Sequence, residues 1–116
     1  MARVVAVFDD LLLGSNVLGM LRAAGHDARL SADAAAVAPD DADVLVVDLG
    51  SEGIDGVALV ERLRAAGELE GTATLGVYSH VHHDVKLRAE RAGFDLVVPR
   101  SRMAREMPAL VEHLLG

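Results

Sequence analysis

Val44-Leu45-Val46-Val47-Asp48 is the stretch on which the fold turns. Four consecutive apolar residues leave no polar face for water, so the run reads as a strand buried on both sides, as in a parallel sheet covered by helices. Asp48 ends it. Open α/β sheets place their chemistry outside the carboxyl ends of the strands, so an acid there stands where a binding or reactive group belongs. Val4-Val5-Ala6-Val7-Phe8, followed by Asp9-Asp10, repeats the pattern. Two acidic strand ends close in space point to a cation or phosphoryl site.

Around these two strands, apolar runs alternate with helix-period segments. Residues 3–8 are the first predicted strand. Leu13, Val17, Leu18 and Leu21 lie at helical spacing in a helix from Leu11 to Ala24, with Gly25 as its stop signal. A short second strand covers 26–30. The Ala-rich segment 31–38 follows, with Ser31 as N-cap and Pro39 beyond its end. The third strand is 43–49, and 50–54 is a mobile loop. Asp55 caps a helix to Ala66 whose Val57, Leu59, Val60 and Leu63 make one apolar stripe, and Gly67 ends it. Residues 73–78 form strand four, 82–92 helix four, and 94–98 strand five. Proline is comfortable only in a first turn, so Pro108 splits the last segment into a turn at 101–107 and a helix from Pro108 to Leu115.

The pattern is (βα)5 with no repeat, linker or low-complexity stretch. Alternation of this kind implies a parallel sheet with helices on both faces. The expected fold is a flavodoxin-like three-layer α/β sandwich with strand order 2-1-3-4-5, spanning residues 1–116 as one domain. A chain of 116 residues that is 52% hydrophobic but only 3% aromatic must build an aliphatic core. No apolar run approaches the roughly 18 residues of a membrane span, and the absence of cysteine removes disulfide and thiol chemistry. A soluble cytoplasmic protein is expected. Residues 1–60 carry three basic and ten acidic side chains and residues 61–116 eight of each, so the net charge of −7 sits in the first half. Such a balance argues against nucleic-acid binding, which needs a basic footprint.

In this order and spacing the chain resembles the receiver domain of bacterial two-component response regulators, over essentially its whole length. The resemblance makes Asp48 the phosphoacceptor, with Asp55-Gly56 opening the next helix. It assigns Asp9 or Asp10, together with Asp48, to a Mg²⁺ site, leaving open which of the first two faces it. It gives Ser79 and Arg100 the contacts to the phosphoryl group. Mg²⁺ would neutralise the phosphoryl oxygens, and the hydroxyl and the cation would bind the product.

Several residues depart from the family pattern. Alignment back from Gly25 places Phe8 at the first family acid and Asp9 at the second. Arg100 replaces a lysine and has Pro99 before it, His80 stands where a small residue is usual, and Val97 replaces an aromatic switch residue. These changes predict weak Mg²⁺ binding. Without metal, clustered carboxylates repel, so Asp48→Asn is expected to stabilise the fold by on the order of 1 kcal/mol.

The implied function is phosphorelay signalling by a stand-alone receiver, not an enzyme. Its partner would be a histidine kinase or another signalling protein, without nucleic acid or membrane. A homodimer through the fourth helix, fifth strand and fifth helix is the family expectation. One alternative is a degenerate receiver acting as a phosphorylation-independent interaction module. Another is a small nucleotide- or flavin-binding flavodoxin-like protein, but that needs a Gly/Ser/Thr-rich phosphate loop where Asp9-Asp10-Leu11-Leu12-Leu13 stands. His80, His82, His83 and Asp84 lack the ligand spacing of a zinc site. Arg100, Arg102 and Arg105 around a helix start read as solvated charges or as a hint of an anionic partner.

Overall fold

The computed structural model describes residues 2–37, 39 and 42–116. Its strands are β1 (Arg3–Val7), β2 (Asp27–Ser31), β3 (Val44–Asp48), β4 (Ala73–Tyr78) and β5 (Leu96–Pro99). Its helices are α1 (Leu11–Ala23), α2 (Gly56–Ala65), α3 (His83–Arg91) and α4 (Arg100–Leu115). The strands pair in parallel in the order β2-β1-β3-β4-β5. This is the flavodoxin-like arrangement that the apolar runs imply.

Side-chain alternation divides the core. Val4, Ala6, Val44, Val46, Leu75 and Val77 pack on one face with Val17 and Leu21 of α1 and Met103 and Met107 of α4. Val5, Val7, Leu45, Val47 and Tyr78 pack on the other with Val57, Val60 and Leu63 of α2 and Ala89 of α3. Burying β3 on both faces removes it wholly from water and carries Asp48 to the carboxyl edge of the sheet. No helix among the described residues is long and apolar enough to cross a membrane.

Glycine stops work as the sequence implies at Gly25 and Gly93, whose φ values of 91° and 97° let the chain reverse after α1 and α3. After α3, the Phe94 N–H returns to the Ala89 carbonyl at 3.2 Å, which keeps Phe94 out of the strand and delays β5 to Leu96. Thr74, fully buried at the start of β4, exchanges hydrogen bonds with Asp95 and so fixes where β5 begins.

Two predicted segments come out differently. The Ala-rich stretch 31–38 gives only a 3-10 turn at Ala34–Ala36; Ala38 lies outside the described residues. Ser31 ends β2, and its hydroxyl donates to the Asp33 carbonyl, so it caps nothing. Asp33 takes the Ala35 N–H instead, and so short a segment before Pro39 cannot nucleate a helix. The second difference is that α4 runs unbroken through Pro108. Met103, Met107, Leu110 and Val111 form one buried stripe across the proline. Ala104, whose carbonyl loses its amide partner to the proline, is an exposed residue.

Asp55 caps α2, its carboxylate accepting the Ala58 N–H at 3.0 Å. Gly56 then lies against β3, and a Cβ there would sit 2.5 Å from Val47 Cγ1 and 2.9 Å from Leu49 Cδ2. Overpacking of a filled core costs about 1–3 kcal/mol, more than the roughly 0.5–1 kcal/mol gained when a helix loses a glycine. Gly56→Ala is therefore expected to lower stability by on the order of 1–2 kcal/mol in urea titration, and an unchanged midpoint would refute the close-packing account.

Candidate functional site at the carboxyl edge of the sheet

Asp48 ends β3 with no exposed surface. A carboxylate so buried needs compensation, and three hydrogen bonds supply it. The Gly50 N–H donates to Oδ1 at 2.9 Å. Arg100 Nη2 donates to Oδ1 at 3.1 Å and to Oδ2 at 3.0 Å. Arg100 opens α4 immediately after Pro99, the last residue of β5, and reaches past the end of β4 to the acid. Its side chain is 39% exposed. One guanidinium nitrogen thus spans both carboxylate oxygens, while Nε lies buried without a partner.

Gly50 makes this geometry possible. A Cβ on it would lie 2.8 Å from Arg100 Nη2. Sequence reading missed its role because Gly-Ser-Glu-Gly resembles any polar loop. That loop is tied down, contrary to the expectation of a mobile segment. Besides the Gly50 bond, the Gly53 N–H donates to Asp9 Oδ2 at 3.2 Å, and the Ile54 N–H to Ser51 Oγ at 3.1 Å.

The strand-one acids have separate tasks. Asp10 is the N-cap of α1, its Oδ1 accepting the Leu13 N–H at 3.0 Å. Asp9 reaches the β3–α2 loop. Its hydrogen bond with the Ser51 side chain holds its carboxyl below the usual carboxylate range; desolvation opposes this, and the Gly53 N–H assists it. Phe8 lies wholly in the core. Ser79 follows β4 at the same edge, half-buried, and its carbonyl accepts the His82 N–H at 2.8 Å. Among the described residues no hydrogen bond joins its hydroxyl to Asp48 or Arg100.

These donors test the expected Mg²⁺ site. Mg²⁺ wants near-octahedral oxygen ligands, but both Asp48 oxygens already accept from Arg100 and Asp10 Oδ1 serves a helix end. Among the described residues no group of three or more Asp, Glu or His side chains is placed to hold a metal ion. The expected site, Asp48 with Asp9 or Asp10, does not match this arrangement, because each of these acids already accepts from a protein donor. The histidines likewise form no ligand cluster: His80, His82 and His83 are all exposed. Arg102 and Arg105 both approach Glu106, at 3.5 and 3.9 Å.

The expected sign of the Asp48→Asn effect reverses as well, since Asp48 faces a cation in place of another acid. Arg100→Gln strands a carboxylate that cannot reach water and should cost about 3 kcal/mol. Asp48→Asn leaves an arginine with access to solvent and should cost about 1 kcal/mol. Chemical denaturation of both variants checks the order, and a stabilised Asp48→Asn would show that the pair is not what holds Asp48. The lowered Asp9 carboxyl contributes stability above its unfolded pKa and loses it as pH falls through the depressed folded value. The Gly53 amide resonance should therefore titrate on the acid side of the ordinary carboxylate range, and should cease to titrate in Asp9→Asn.

No family model matches this sequence, and no curated protein matches it. Solved structures do. The receiver domain of Francisella response regulator 1452 superposes with a TM-score of 0.85, covering 99% of this chain and 97% of that one at 18% identity. A response regulator from Chloroflexus aurantiacus gives 0.86, with 98% and 97% covered at 22% identity. NtrX from Brucella abortus, solved in complex with ATP, gives 0.84 at 22% identity, covering 98% of this chain but only 27% of that one. At this level of identity the likeness concerns the fold: the chain folds as a response-regulator receiver domain does.

Proposed function

We propose that this chain is a receiver-type signalling module that acts by binding another protein, and that it does so without phosphorylation of Asp48. The observation that carries this reading is the single Arg100 nitrogen lying 3.0–3.1 Å from both oxygens of a fully buried Asp48. Phosphoryl transfer to a carboxylate requires a free oxygen in line with the donor, and a cation that neutralises the transferred group. Here the cation belongs to the protein and is spent on the nucleophile itself. Asp9, the remaining candidate ligand, is engaged with the loop. The site offers no activated nucleophile or base for turnover, so the chain is read as a binding module and not as an enzyme.

The partner class is a histidine kinase or another signalling protein, met in the cytoplasm. The face of α3, β5 and α4, where Leu87 is 47% exposed, is the place for a second copy if the module pairs with itself. A second reading keeps Asp48 as phosphoacceptor in a phosphorelay. In its favour, Asp48 stands at the strand end beside a cation and near Ser79, so Arg100 could transfer from the carboxylate to the phosphoryl oxygens.

Intact-mass analysis after incubation with acetyl phosphate and Mg²⁺ separates the two readings. The mass is expected to stay unchanged in the wild type. Gain of one phosphoryl group, absent in Asp48→Asn, would establish the second reading. His80→Ala combined with Arg100→Lys, which restores the family residue types, should be the more readily modified protein.

A further inference from the structure

We propose that the groove between the β3–α2 loop and α3 receives a partner helix that carries a basic residue and an acidic residue one turn apart. This inference rests on the interaction-module reading and names its surface. The groove encloses about 210 Å³, with Leu49, Ile54 and Val85 among its apolar lining. Glu52 and Asp55 contribute acids from the loop side and Arg88 a base from α3. Among the described residues Arg88 forms no ion pair with either acid.

Small-molecule pockets usually enclose about 300–1,000 Å³, so this one suits a single long side chain. Protein interfaces are commonly anchored by one such side chain in a pocket. A lysine or arginine lays its methylene stem along apolar residues and presents its head to carboxylates. Glu52 supplies one carboxylate, and Asp55, whose Oδ1 caps α2, offers Oδ2 as a second acceptor. Arg88 then requires an acid beside the anchor, and residues four apart on a helix are neighbours at about 5–6 Å. One helix with a base and an acid at that spacing offers an opposite charge to each wall. The acidic excess of residues 1–60, ten against three basic, attracts the basic anchor from a distance.

The probe is a capped alanine-based helical peptide with one Arg and one Glu four residues apart, titrated into the whole chain with amide-resolved NMR. Saturable shifts confined to residues 49–57 and 85–88 are expected, with affinity about tenfold weaker in Glu52→Lys, as for loss of one charged contact. Glu52 is exposed, and a thermal melt of the variant checks that it folds. A control peptide with Gln at both positions should give no such shifts. Absence of saturable shifts, shifts spread over the whole surface, equal binding by the control peptide, or unchanged affinity in Glu52→Lys would overturn the proposal. Phosphoryl uptake at Asp48 would instead overturn the function above and leave the mapped groove in place.

Discussion

Taking the Asp48 carboxylate out of water is the constraint around which the carboxyl edge is arranged. Even after relaxation, a buried ion without a partner costs several kcal/mol. The strand forces this burial, since β3 is covered on both faces and Asp48 is its last residue. The compensating charge must come from elsewhere in the sheet. Arg100 is long enough to cross the end of β4 and carries donors that can meet two oxygens at once. Gly50 leaves the space for it and adds a backbone donor. The pair is still not the strongest arrangement available to arginine, which grips a carboxylate best with two nitrogens in a fork. One nitrogen serves both oxygens here, and the buried Nε is left over.

The sheet was largely legible because its inner strands are mainly apolar with polar or glycine boundaries, Val44–Asp48 most clearly, whereas β2 (Asp27–Ser31) alternates polar and apolar residues. The helices were legible where an amphipathic stripe and a cap coincided, as at Asp55 and Gly67. Reading failed where a local competitor or a tertiary contact decided. At 31–38 alanine content favoured a helix, but the cap is Asp33, whose side chain accepts the Ala35 N–H, and too few residues remain before Pro39 for the turn to extend. At Pro108 local chemistry favoured a break. The buried methionines on either side hold α4 together, and which carbonyl a proline frees, and whether that carbonyl meets water, depends on how the helix is rolled against the sheet.

At the site, Asp48 and Arg100 were recognisable from position, but their bond was not. The two are 52 residues apart, and the geometry needs Gly50, whose neighbours look like any loop. The acids were misjudged as a group because proximity in sequence suggests a shared ligand. Asp9 and Asp10 are adjacent, yet one turns to the β3–α2 loop and the other to the first turn of α1. Repulsion among carboxylates was the wrong starting point, since every one of them meets a donor. Phe8 follows from the same alternation: it continues the apolar side of β1 into the core, where an acid would have had no partner.

The segment that follows Asp48 joins the pair to the surface. Gly50 donates to Asp48, Gly53 to Asp9, and Ile54 to Ser51, so the backbone of the loop is fixed by the same acids that define the edge. Leu49 and Ile54 from this loop also line the groove against α3. A molecule filling the groove and the Arg100–Asp48 pair therefore act on one stretch of chain. Coupling between two such events is reciprocal: whatever the pair adds to binding in the groove, binding returns to the pair. Its size is bounded by how differently the ligand interacts with the two loop states. With Asp48 already supplied with hydrogen-bond donors, the β3–α2 loop is the physical link between the groove and the sheet edge.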